Sequence, residues 1–191
     1  WGLYPLARRP LSLGNFLMNR DNHITGAERF FEDHELIVSK TDLKGRITYA
    51  NDVFLRLAGY SEKEVLGQPH SIIRHPDMPR SVFKLLWDTI QGGSEIFAYV
   101  INRSNGGDYY WVLAHVTPSK DSSGNTIGYH SNRRVPNRDI LTKHIIPLYQ
   151  SLLAEEQKHP NAKDGMLASF DMVSTLLSDQ GVAYDQFIAT L

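Results

Sequence analysis

The 191-residue sequence contains no cysteine. That excludes disulfides, thiolate metal sites and thiol nucleophiles. It also fits a reducing compartment, so the cytoplasm is the expected location. Long hydrophobic runs are missing too. No apolar stretch approaches the roughly 18 residues that cross a bilayer, and no secretory pattern is visible. Neither sign of charge is in excess: 20 Lys and Arg stand against 21 Asp and Glu, a formal net charge of −1. No global field therefore argues for nucleic acid or an anionic membrane. The basic doublets Arg8-Arg9 and Arg133-Arg134 read as solvated surface. Catalytic signatures such as GxSxG, HExxH or a phosphate-binding Gly-Lys loop are also lacking, so an enzyme is not expected.

What is there is 41% hydrophobic residues. This suffices for one well-filled core plus extra helices and is marginal for two domains. Residues 1–35 form an expected N-terminal cap or dimer contact, with a short helix in "GAERFFEDHELIV". "LIVSKTDLKGRITYAN" reads as a hairpin: a buried run at Leu36–Val38, a turn over "DLKG", then alternation at Ile47 and Tyr49. Asn51 is a good N-cap for a helix carrying Phe54, Leu57 and Ala58 on one face and stopped by Gly59. Ser61 and Glu64 have capping-box spacing. A longer helix starts at Pro76 or Pro79, with Val82, Leu86 and Ile90 in one stripe and Phe83 and Trp87 beside it.

The period then changes to two. "EIFAYVINR", "DYYWVLAHVTP" and "TIGYHSNRRV" are three strands, joined by turns at "SNGGD" and "DSSGN". Beyond Arg138 the pattern is helical again, with Pro147 as an expected kink and 159–165 as a loop. The last helices read either as a structural pair or as a partner-binding face. The expected division is a cap over 1–35, a sensor over 36–138 and a helical extension over 139–191.

Hairpin, helical excursion and three-strand meander is the order of a PAS domain. "TDLKGRITYANDVFLRLAGYSEKEVLGQPHSIIRHPDMP", and above all "GQPHSIIRHPDMP" and "NGGDYYWV", resemble the sensor of the bacterial aerotaxis transducer family. The resemblance covers about half the chain. It implies an α+β PAS fold, with a five-stranded antiparallel sheet, short helices on one face and flanking terminal segments. It implies noncovalent FAD, whose redox state reports oxygen or energy status in chemotaxis-type signal transduction. By position it implies that Arg74, His75, Asp77 and Trp87 act on FAD. A homodimer and a downstream signalling protein are the expected partners, with no nucleic acid.

FAD joins a flat apolar ring to an anionic pyrophosphate, so its site needs an apolar slot and a few convergent donors. Arg74 offers a fork of donors to phosphate, and His75 a hydrogen bond to the ribityl or phosphate region. Asp77 reads equally as a helix cap. Trp87 stacks on a ring or fills core. Asn102 matches the donor–acceptor edge of a flavin or initiates a turn. Phe97, His70 and Asn51 complete the candidate contacts. Aerotaxis sensors tend to carry a Pro-Trp pair at the start of the meander; here Ile96 and Phe97 stand there. The missing cysteine also excludes the thiol-adduct photochemistry of light-sensing flavin relatives. Two alternatives stay open. One is a cofactor-free interaction module, its pocket filled by Phe97, Tyr99 and Trp111. The other is a heme gas sensor using His70, His75, His115 or His130.

Overall fold

The computed structural model describes residues 23–182 and 184–191. Most of the expected N-terminal cap lies outside them. Five antiparallel strands form one sheet in the order β2-β1-β5-β4-β3. They are β1 Ile37–Thr41, β2 Ile47–Ala50, β3 Ile96–Arg103, β4 Tyr109–Lys120 and β5 Thr126–Arg134. The turns between β3, β4 and β5 fall where Gly107 and Gly124 allow positive φ.

Between β2 and β3 the chain crosses one sheet face through short helices. Asn51 caps α1 (Asp52–Ala58): its Oδ1 accepts the Phe54 N–H, and Gly59 ends the helix in the left-handed region. In α2 (Glu62–Val65) the Glu64 carboxylate accepts from both the N–H and the hydroxyl of Ser61, at 2.8 and 2.7 Å. A 3-10 turn, His70–Ile73, precedes α3 (Arg80–Gln91). Val82, Leu86 and Ile90 of α3 are buried, each contributing about 1.5–3 kcal/mol by area removed from water.

Two expectations are corrected. Residues 26–35 form no helix. They lie along the start of β4 and then turn at Asp33-His34, with the Arg29 N–H on the Tyr109 carbonyl at 2.7 Å and the Tyr109 N–H on the Ala27 carbonyl at 2.9 Å. Arg29 pairs with Asp108, and Glu28 takes the Arg138 fork at 2.6 and 2.9 Å. These distant partners outweigh local helix propensity. The loop expected at 159–165 is shorter, because α6 begins at Ala162 with Asn161 as its N-cap.

After β5 come α4 (Arg138–Ile140), a π-helical turn over Leu141–Ile145, α5 (Ile146–Gln157), α6 (Ala162–Gln180) and α7 (Tyr184–Thr190). The wide π turn sits immediately before Pro147, where the helix loses an N–H donor. α5 and α6 cross closely: a Cβ on Gly165 would lie 2.4 Å from the Glu156 carbonyl oxygen. On the outer sheet face the Tyr149 hydroxyl donates to the Tyr99 carbonyl at 2.6 Å. No described helix is long and apolar enough to cross a membrane.

Candidate functional site

Strand pairing sorts the sheet's side chains. Ser39 lies opposite Ser131, Arg133 opposite Ala114, and Val100 opposite Val112. These residues share the face covered by α1, the 3-10 turn and α3, because successive side chains alternate. A cavity of about 490 Å³ lies between that face and the helices. Ile73, Leu86, Trp87, Ile90, Val100 and Val116 give it apolar walls. Trp87 stands edge-on to Tyr129, ring centres 5.5 Å apart. Gly45, at φ +73°, lies under the indole, where a Cβ would come within 2.8 Å of it.

The polar lining is one-sided. Among the described residues five cationic side chains border the cavity, Lys44, Arg74, Arg80, Lys84 and Arg133, and none of the lining residues is an Asp or Glu. Arg74 lies over the Phe83 ring at 4.3 Å and donates to the Met78 carbonyl at 3.3 Å. Arg133 is buried, with Nη2 2.9 Å from Ser39 Oγ and 2.6 Å from His70 Nε2. The guanidinium can only donate, so His70 Nε2 accepts and its proton sits on Nδ1. Burial, then the Arg133 charge, pushes His70 down to about 3. Burial also lowers Arg133, to about 10, which leaves it charged at neutral pH. Arg133 Nη1, Ser131 Oγ and Asn102 Nδ2 are buried with no hydrogen-bond partner among the described residues. Such groups are rare unless a ligand or water completes them.

Arg74 and Arg80 also border a second, polar groove of about 620 Å³, together with His75, Arg103, Glu156 and His159. That groove separates the 70–80 segment from the α5–α6 loop.

Residues 47–133 match the family described as PAS fold. The chain carries a PAS domain. Over 138 residues it is 38% identical to the aerotaxis receptor of Escherichia coli (strain K12), covering 72% of this chain and 27% of the receptor. It is 29% identical to a nitrogen fixation regulatory protein of Klebsiella pneumoniae, over 54% of this chain and 21% of that protein. The chain thus spans about a quarter of the length of these relatives. Two solved structures show the fold. One is reported as "Flavin Analogue Sheds Light on Light-Oxygen-Voltage Domain Mechanism", with TM-score 0.52 and 20% identity over 61% of this chain and 87% of that one. The other is a PAS domain of a Colwellia psychrerythraea protein, with TM-score 0.50 and 19% identity over 56% and 91%.

Within this PAS domain the candidate residues separate. Arg74, Trp87, Asn102 and His70 line the cavity. His75 lines only the second groove. Its Nδ1 accepts the Asp77 N–H at 3.1 Å, and its ring meets Tyr109 edge-on. Asp77 is exposed, borders neither space and does not cap α3. The cap is Glu156 of α5, whose Oε1 accepts the N–H of Arg80 at 2.7 Å and of Ser81 at 3.2 Å. Asn51 also stands apart: beyond capping α1 it bonds the Val38 N–H and the Leu36 carbonyl.

Phe97 projects from the opposite sheet face and stacks on His115 at 4.1 Å. Tyr99 and Trp111 face that way too, the latter against Tyr149. None of the three fills the cavity, which removes the expected basis for a self-filled pocket. The heme reading fares no better. Among the cavity-lining residues His70 is the one histidine, and its Nε2 faces a guanidinium. The residue that sequence reasoning passed over is Arg133. It was read as surface with Arg134, yet it is 3% exposed. Alternation from Tyr129 and Ser131 was the signal available for it.

Proposed function

We propose that this chain is a cytoplasmic sensor that holds FAD in the PAS cavity and reports its redox state to a signalling partner. The observation that carries the reading is the cavity itself, an apolar slot bordered, among the described residues, by five cations and no carboxylate. An aromatic ring with an anionic tail is the matching chemistry. Bound there, FAD would supply reversible electron uptake.

The chain's own residues divide the work. Trp87, Ile73, Leu86 and Val116 hold and dry the ring. Asn102 and Ser131 bring unmatched polar groups to its edges. Arg74 and Arg80 border both the cavity and the polar groove. Phosphates held there would let the adenosine half run into the groove, which favours FAD over FMN. This reading takes 36–138 as the sensor and 139–191 as its helical extension.

Output runs through α3. Its first turn is capped by Glu156, and Ser81 Oγ lies 2.6 Å from Ser169 Oγ of α6. Repositioning of Asn102 or Ser131 on reduction would bias this α5–α6 hairpin, a local hydrogen-bond change coupled to a packed element. The hairpin, alone or through a homodimer, presents that change to the partner.

The test is the absorption spectrum of protein purified without added cofactor, followed by acid release and identification of the chromophore. FAD supports the proposal. FMN corrects the cofactor, and a heme band replaces the reading. Protein that stays colourless after incubation with FAD rejects it.

A further inference from the structure

The polar groove has two walls of different origin. Arg74, His75, Arg80 and Arg103 stand on one side, carried by the segment around the 3-10 turn, the start of α3 and the end of β3. Glu156, Gln157 and His159 stand on the other, carried by α5 and the turn into α6. The PAS match covers residues 47–133, so the second wall lies beyond it. That wall is held in place. Glu156 caps α3, the Arg80 guanidinium donates to the Ala162 carbonyl at 3.3 Å, and Ser81 Oγ meets Ser169 Oγ at 2.6 Å, both serines buried. The same hairpin reaches the cavity, where Met166 of α6 is part of the lining.

The two spaces adjoin. Ser71, Arg74 and Arg80 border both of them. At about 490 and 620 Å³, each is large enough to seat one bulky group. Among the described residues three arginines line the groove with a single carboxylate, Glu156, which is already engaged by N–H groups of α3. The pair of spaces thus suits a ligand of two bulky halves joined by an anionic link.

The groove also holds an unmet donor. His75 is 3% exposed, and burial favours its neutral ring. Its Nδ1 accepts the Asp77 N–H, so the proton sits on Nε2. That N–H is buried with no hydrogen-bond partner among the described residues, and an acceptor on a ligand would complete it. Across the groove the Gln157 amide and the His159 imidazole each bring a donor and an acceptor. The edge of an adenine ring carries the same two functions.

We propose that the α5–α6 hairpin is the specificity element of this sensor: Gln157 and His159 recognise the adenosine half of FAD, so that the chain selects the dinucleotide over FMN with residues that follow its PAS domain. This rests on the flavin reading above. FMN ends at one phosphate. It fills the cavity and leaves the groove open, so FAD alone ties the sensor to the hairpin.

The experiment is calorimetric titration of the flavin-free full chain with FAD and with FMN, for the wild type and for the double variant Gln157→Ala with His159→Ala. Gln157 is exposed and His159 half-buried, so neither substitution opens the core. The wild type is expected to bind FAD at least about tenfold more tightly than FMN. The double variant is expected to lose about tenfold in FAD affinity, the worth of one or two hydrogen bonds, with FMN affinity unchanged. A variant that keeps the wild-type ratio overturns the inference, as does one that loses both flavins alike. Hydrogen exchange on the wild type decides the matter should the variant not fold. Amides over 157–162 are expected to exchange more slowly with FAD bound than with FMN bound, and equal protection by the two overturns the inference. A wild type that binds neither flavin rejects the flavin reading and this inference with it, whereas one that binds FAD and FMN equally well rejects this inference alone.

Discussion

The Glu156 carboxylate closes the start of the helix that begins at Arg80, accepting the Arg80 N–H at 2.7 Å, while the Arg80 guanidinium reaches the Ala162 carbonyl at 3.3 Å. A helix bordering the cavity thus takes its cap from a helix that follows the PAS domain. Removing a side-chain cap costs about 1–2 kcal/mol. Glu156→Ala should therefore lower unfolding stability by about that much, read as a reduced urea midpoint. An unchanged midpoint would show that water replaces the carboxylate without loss.

Gly45 is under double constraint: positive φ, and the Trp87 ring 2.8 Å from where a Cβ would sit. Gly45→Ala should cost about 1–2 kcal/mol from the backbone alone and should shift Trp87. Tryptophan fluorescence and a thermal melt read both effects. Wild-type values in each would mean the indole is not seated against this turn.

Asn51 and Asn102 are chemically identical and placed for different ends. Asn51 makes three hydrogen bonds to backbone, so Asn51→Ala should lose about 1–3 kcal/mol and leave flavin affinity of the folded fraction intact. Asn102 Nδ2 is buried with no partner among the described residues, so Asn102→Ala should barely change stability while weakening flavin binding about tenfold. Calorimetry with FAD beside chemical denaturation separates the two. Exchanged outcomes would reverse the assignments.

His70 sets an acid limit. Its folded value is about 3 against an ordinary 6.5, so the unfolded chain binds the proton first as pH falls. The stability it contributes is complete above about 6.5 and is lost between there and about 3, with a slope of up to about 1.4 kcal/mol per pH unit. Burial lowers His75 in the same direction. His70→Gln should flatten the pH dependence of stability in that window. A variant with the wild-type slope would place the acid sensitivity elsewhere.

Local chemistry made much of this fold legible. Asn51 and Gly59 delimit α1, Ser61 and Glu64 open α2, and glycine-bearing turns separate the strands, each signal lying within a few residues of what it controls. What could not be read depends on distant partners. The 26–35 segment is not helical because it meets Tyr109 and Asp108. Either proline could have opened α3; Glu156, some eighty residues downstream, meets the helix at Arg80. Phe97, Tyr99 and Trp111 went to the wrong face because "IFAYVI" and "YYWVLA" are apolar along their whole length, and alternation carries no signal when both faces are buried. Arg133 was missed for the converse reason: charge suggested surface, where strand parity pointed inward.

One feature reaches beyond sensing. β3 ends the sheet, and its outward carbonyl at Tyr99 is taken by the Tyr149 hydroxyl, with α7 packed nearby. A bare terminal strand is a template for pairing with other chains. The helices after residue 138 therefore cover part of this edge. A fragment trimmed to the PAS domain alone should offer β3 to its neighbours and aggregate more readily than the longer chain.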